Sequence, residues 1–162
     1  MRETVFCDPT KARQGSTSMN GSRIIAAPDE FRARLSGGLI AATPVPFDSR
    51  GKLHEGAHDS YLRYMARAEI AGVAVWAHTG RGLLLGAETR RRVLRDWRAA
   101  LPEKVVVAGV GAPLGVTPAE ATGHTVEMAE AAAREGADAL LVYPPTWLRE
   151  HPSRDELIVS HH

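Results

Sequence analysis

The sequence predicts an α/β fold built from repeated strand–helix units, and three observations carry that expectation. Four short runs, at residues 39–43, 73–77, 105–108 and 139–143, are almost continuously apolar rather than alternating. That is the pattern of parallel strands covered on both faces. Their starts fall about 33 residues apart, the length of one strand plus one crossover helix. The stretches between them repeat apolar residues at intervals of three and four, as helices packed on a sheet do.

The elements follow in order. Residues 1–30 read as a flexible tail, because Thr10-Lys11-Ala12-Arg13-Gln14-Gly15-Ser16-Thr17-Ser18 is polar, small and aperiodic. Met19 closes that stretch, and residues 31–162 form the expected domain. After the first strand comes a helix at roughly residues 56–71, with Tyr61, Met65 and Ala68 on one face. The second strand leads to a helix at residues 88–101, with Val93, Trp97 and Leu101 facing inward. The third helix, residues 118–135, has the clearest start, a Thr117-Pro118-Ala119-Glu120 capping box with proline at its first position. Its predicted inner face is Thr122, Val126, Ala129 and Ala133, and it stops at Glu135-Gly136, where glycine can take the left-handed cap. After the fourth strand, Ser153-Arg154-Asp155-Glu156 is a second capping box, opening a further helix that has six residues after Glu156.

Composition narrows the function classes. The chain has 162 residues, 44% hydrophobic and 24% charged, enough for one domain with a real core. A complete eight-unit barrel of this type needs about 250 residues, so the sequence accounts for about four units. No apolar run approaches the length of a membrane-spanning helix. Twenty basic against 19 acidic residues leave no general nucleic-acid footprint. Neither a nucleic acid nor a membrane is therefore expected as a partner. Cys7, the single cysteine, gives no disulfide and no zinc spacing, and a reduced, cytoplasmic protein without a signal-peptide core is expected. His54 and His58 lie one helical turn apart, but no third ligand is placed beside them, so they read as an exposed helix start and no metal site is expected. Arg90, Arg91, Arg92, Arg95 and Arg98 read as a solvated helix face interspersed with Glu88 and Asp96, in preference to a phosphate site.

In parallel βα architectures ligands meet the loops that leave the carboxyl ends of the strands. Those loops are Thr43-Pro44-Val45-Pro46-Phe47, His78-Thr79-Gly80-Arg81-Gly82, Gly109-Val110-Gly111 and Tyr143-Pro144-Pro145-Thr146-Trp147. The second offers a hydroxyl and glycine-flanked amides suited to a carboxylate. It reads equally well as an ordinary glycine-rich turn.

Four features in these segments resemble the dihydrodipicolinate synthase / N-acetylneuraminate lyase family of aldolase-type barrels. They are Ala42-Thr43-Pro44-Val45-Pro46-Phe47-Asp48 followed by Gly51; Gly72-Val73 leading to Thr79-Gly80, Leu85 and Glu88; Val107-Ala108-Gly109-Val110-Gly111; and Gly136-Ala137-Asp138-Ala139 leading to Pro144-Pro145. The resemblance runs from about Gly38 to Asp155 and corresponds to the N-terminal half of that fold, a TIM-barrel-type α/β half-barrel. It implies lyase chemistry on a 2-keto acid such as pyruvate, with a lysine on the sixth strand forming a Schiff base. It implies no cofactor, and a homo-oligomer for the full-length family.

Carried over by position, Thr79 and Gly80 match the family's carboxylate-binding turn, with Thr43 in the neighbouring loop. His78 stands where a small or hydroxyl residue is usual, and Arg81 where an acidic one is usual. Both add donors near the carboxylate, though His78 also suits a strand-end cap and Arg81 a solvated side chain. The proton-relay tyrosine falls near Thr146, and Tyr143 is the candidate for that role or for a wall of the site. The three lysines are Lys11 in the tail, Lys52 in the first loop and Lys104 at the amino end of the third strand, and none suits the imine. The alternative reading is a non-catalytic half-barrel that works by pairing its edge strands with another chain.

Overall fold

The computed structural model describes residues 28–161, so residues 1–27 of the tail expected over 1–30, with Cys7, Lys11 and Met19, lie outside the described residues, while its last three residues, 28–30, belong to a helix. Four parallel strands, β1 (Ile40–Ala42), β2 (Gly72–Val75), β3 (Val105–Val110) and β4 (Ala139–Val142), form one sheet in the order β1-β2-β3-β4. Helices α2 (Glu55–Arg67), α3 (Ala87–Ala100) and α4 (Pro118–Arg134) make the crossovers. This is a half-barrel of four βα units, half the strand count of a closed eight-stranded barrel. α1 (Pro28–Leu35) precedes it and α5 (Arg154–His161) follows it.

Burial follows from position in the sheet. Val73, Val75, Val106, Ala108 and Val110 on the two central strands are wholly buried, whereas Leu140 and Leu141 on the outer strand β4 are 42% and 43% exposed. The inner face of α3 is the expected one: Val93, Trp97 and Leu101 are all buried. Trp97 anchors α2 to α3, meeting the Tyr61 ring edge-on at 5.4 Å between centroids, a contact worth about 0.5–1.5 kcal/mol beyond the area it buries.

The face expected for α4 is corrected. Ala121, Thr125, Met128 and Ala132 are buried, one position away from the predicted stripe, and Val126 is half exposed. The helix is so rich in alanine that its apolar residues run around the whole cylinder, and Met128 decides its orientation. Its start is as expected, since the Glu120 carboxylate accepts the Thr117 N–H at 3.0 Å and the Thr117 hydroxyl at 2.6 Å. At its end Gly136 takes a φ of +92°.

The arginines of α3 are tethered rather than merely solvated. Arg91 and Arg95 reach Glu135 beyond the end of α4 at 2.8 and 3.2 Å, and Arg92 bridges Asp96 and Glu55. Arg98 pairs with Asp138 at 2.8 Å, and the same carboxylate oxygen accepts the Val106 N–H at 2.8 Å. The Gly136-Ala137-Asp138-Ala139 feature is thus a lock at the amino ends of the strands, opposite the candidate site.

Candidate functional site

At the carboxyl ends of the strands the chain turns through backbone contacts that exclude side chains. β2 ends at Val75, short of the expected residue 77, because Trp76 adopts a φ of +57° and turns the chain. The indole of Trp76 is buried and donates to the Arg90 carbonyl at 3.0 Å. Gly80, Gly82 and Gly109 then pack against bare backbone. A Cβ at Gly80 would lie 2.8 Å from the Thr43 oxygen, and one at Gly109 would lie 2.8 Å from the Trp76 oxygen. Glycine is required for that approach.

This packing shapes a cavity of about 270 Å³. His78, Arg81 and the short 3-10 turn Gly82–Leu84 form one side, and Tyr143 and Thr146 form the other. The His78 and Tyr143 rings meet edge-on, 4.5 Å between centroids. The cavity is chiefly apolar, with an imidazole, a guanidinium and a phenol at its polar edge. Donors that converge on an apolar pocket fix the orientation of an anionic ligand.

The other expected site residues fall into two groups. Thr79 is exposed in the same turn as His78 and Arg81, and Gly80 is buried beneath it, but neither lines the cavity. Thr43 is 1% exposed, and its hydroxyl donates to the Ala74 carbonyl at 3.3 Å, so it braces β1 against β2. Leu83, Leu84 and Leu114, which no motif marks in the sequence, supply the apolar wall.

The remaining candidates occupy structural positions. His54 caps α2 by accepting the Ala57 N–H at Nδ1. His58, expected at an exposed helix start, is instead completely buried, with Nε2 3.4 Å from an Asp96 oxygen. Its ring lies edge-on to Trp97, because the first turn of α2 faces α3 and not solvent. Lys104 donates to the Ala68 carbonyl at 2.6 Å and the Ala66 carbonyl at 3.2 Å, closing the end of α2 on the face away from the cavity. Lys52 is exposed in the loop after β1. Among the described residues, no group of three histidine, cysteine, aspartate or glutamate side chains is placed to hold a metal. No described helix is long and apolar enough to cross a membrane.

Comparison with known proteins agrees with this architecture. A family model described as the dihydrodipicolinate synthetase family matches residues 35–161. The 4-hydroxy-tetrahydrodipicolinate synthase of Bartonella tribocorum is 30% identical over 117 residues, covering 72% of this chain and 37% of that protein. The N-acetylneuraminate lyase of Homo sapiens is 30% identical over 115 residues, covering 69% and 34%. Among solved structures, a dihydrodipicolinate synthase family protein from Coccidioides immitis superposes with a TM-score of 0.59 at 28% identity, over 68% of this chain and 35% of that one. The Proteus mirabilis N-acetylneuraminate lyase gives 0.62 at 25% identity, over 76% and 39%. The chain thus spans little more than a third of the length of the curated relatives it matches.

Proposed function

The chain belongs to the dihydrodipicolinate synthetase family, and from that premise we propose that it supplies four strand–helix units of an aldolase-type lyase site for a 2-keto acid of the pyruvate type. The observation that carries this reading is the meeting of His78 and Arg81, from the loop after β2, with Tyr143, from the end of β4, around one cavity at the carboxyl ends of the strands. In this reading the keto acid's carboxylate lies at the rim of that cavity, beside the turn in which Thr79 is exposed. His78 and Arg81 add donors beside it, and the Tyr143 phenol exchanges a proton with the reacting carbon's substituents. The electron sink is an imine. A neutral lysine amine adds to the keto carbon, water leaves, one proton is taken up from solvent, and the protonated imine nitrogen draws electrons from the neighbouring bond. That lysine belongs to a strand beyond the four described here, and the reading calls for no cofactor.

A pyruvate titration followed by amide chemical shifts tests the proposal. Shifts are expected in residues 78–82 and 143–147, and Thr79→Val is expected to weaken binding by about 1–3 kcal/mol, the cost of a lost hydroxyl donor. A Thr79→Val chain that binds pyruvate as tightly as the parent would sink the carboxylate assignment.

The second reading, association with another chain, is favoured by one observation. Leu140 and Leu141 are consecutive, so they point to opposite faces of β4, and both are more than 40% exposed. An added strand and its helix would cover both.

A further inference from the structure

We propose that Lys52 and Arg81 form a site for the distal carboxylate of a dicarboxylic 2-keto acid, in a groove between the loops that follow β1 and β2. The two side chains line one cavity of about 680 Å³ and, among the described residues, are the only charged ones that do so. The rest of its wall is largely apolar, with Phe47, Leu84 and Leu85 prominent. Two like charges facing one apolar-walled space attract an anion more strongly than either would alone on an open surface.

Neither cation is engaged by an acidic side chain among the described residues. The nearest carboxylate on the same loop, Asp48, is committed to its own turn. Its Oδ1 accepts the Arg50 and Lys52 backbone N–H groups, each at 2.9 Å, and its Oδ2 meets the Arg50 guanidinium at 3.4 Å. Those bonds fix the Lys52 backbone and leave its ammonium to the groove. Glu55 and Glu88 face a neighbouring groove, where Arg91, Arg92 and Arg95 accompany them.

Arg81 carries a second, independent signal. Its backbone is left-handed, φ 51° and ψ 36°, a region that residues with long side chains rarely adopt. Outliers of this kind gather at ligand clamps, where the surroundings hold them. Here Arg81 N–H donates to the His78 carbonyl at 3.1 Å and the Arg81 carbonyl accepts from Leu84 at 2.9 Å. The result places the guanidinium at a junction, since Arg81 and Leu84 line both this groove and the 270 Å³ cavity beside Tyr143. A ligand whose keto-acid end sits by His78 and Tyr143 would extend past Leu84 and bring a second carboxylate between Arg81 and Lys52. The Arg81 guanidinium carries five N–H donors, so one edge can serve the keto-acid carboxylate beside His78 while the other meets the distal carboxylate, with the lysine as a point charge.

The keto-acid end of this ligand rests on the function proposed above, and the test separates the two. Calorimetric titrations would compare 2-oxoglutarate, 2-oxobutyrate and succinate on the parent chain, Lys52→Met and Arg81→Met, with circular dichroism reporting the fold of each variant. On the parent, 2-oxoglutarate is expected to bind about tenfold or more tighter than 2-oxobutyrate. In Lys52→Met that preference should fall severalfold while the 2-oxobutyrate affinity stays unchanged. Lys52 is exposed, so this variant keeps the test valid if Arg81→Met does not fold. Equal binding of the two keto acids to the parent, or a preference untouched by Lys52→Met, overturns the distal site and leaves the keto-acid reading standing. Succinate binding that depends on Lys52, with 2-oxobutyrate inert, supports the anion site and sinks the keto-acid reading. No binding of any of the three overturns the proposal.

Discussion

At Gly82 an ideal Cβ would lie 2.1 Å from the Trp76 carbonyl oxygen and 2.4 Å from the Trp76 Cβ. The atoms in the way are backbone and the root of a buried indole, so they cannot swing aside. Gly82→Ala is therefore expected to cost about 1–3 kcal/mol, the usual range for overpacking a closed site. Urea unfolding of the variant checks this, and an unchanged midpoint would show that the turn relaxes freely. The glycines of this turn were legible in the sequence as a loop, but their reason was not. It lies in Trp76, which reads as the middle of an apolar strand and instead leaves the strand with a φ of +57°. Nothing in the local residue pattern announces a left-handed tryptophan or a left-handed arginine, because both depend on contacts with a neighbouring loop. Likewise Thr43 reads as a site residue by position, yet its hydroxyl is directed at the Ala74 carbonyl.

Helices were legible in proportion to the contrast between their faces. α3 sets Val93, Trp97 and Leu101 against five arginines and two acids, so its inner face could be assigned from spacing. α4 has alanine on every side, and the one large thioether, Met128, settles a rotation that the period leaves open. α1 leaves little trace in the sequence because Pro28–Leu35 alternates charge and apolar residues without a continuous stripe. The ties between helices were hidden as well, since ion pairs such as Arg91 with Glu135 join residues 44 positions apart.

That pair gives a prediction with a sign. The Arg91 hydrogen bond, helped by Arg95, holds the Glu135 carboxyl below its ordinary value of 4.5. A carboxyl with a lowered folded value stabilises the fold above its unfolded value, and the contribution is lost as pH falls through the folded value. Glu135→Gln is expected to lower stability by up to about 1 kcal/mol at pH 7, since the two arginines are more than half exposed. Below pH 4.5 the gap between parent and variant should close progressively. Urea unfolding at several pH values between 3 and 7 measures it, and a gap of constant size would mean that packing, not charge, joins α3 to α4.

At the scale of the molecule, the strand order and the repeat length were the most legible features, because each apolar run is followed by its own helix and short connections join neighbours. The chemistry is less legible, because the imine proposed above requires one residue type in one environment. A lysine that forms an imine near neutral pH must be partly desolvated so that its amine is neutral when the keto carbon arrives. Lys52 is exposed in a loop, and Lys104 is spent on the carbonyls at the end of α2, at the strand ends opposite the cavity. Pyruvate with borohydride is therefore expected to leave no reduced adduct on this 162-residue chain. The same treatment of the chain joined to strands that carry a buried lysine at their carboxyl ends should trap an adduct on that lysine. Peptide mass spectrometry distinguishes the outcomes. An adduct on Lys52 would relocate the chemistry to the groove it shares with Arg81, and one on Lys104 would require the end of α2 to open before pyruvate could reach the amine.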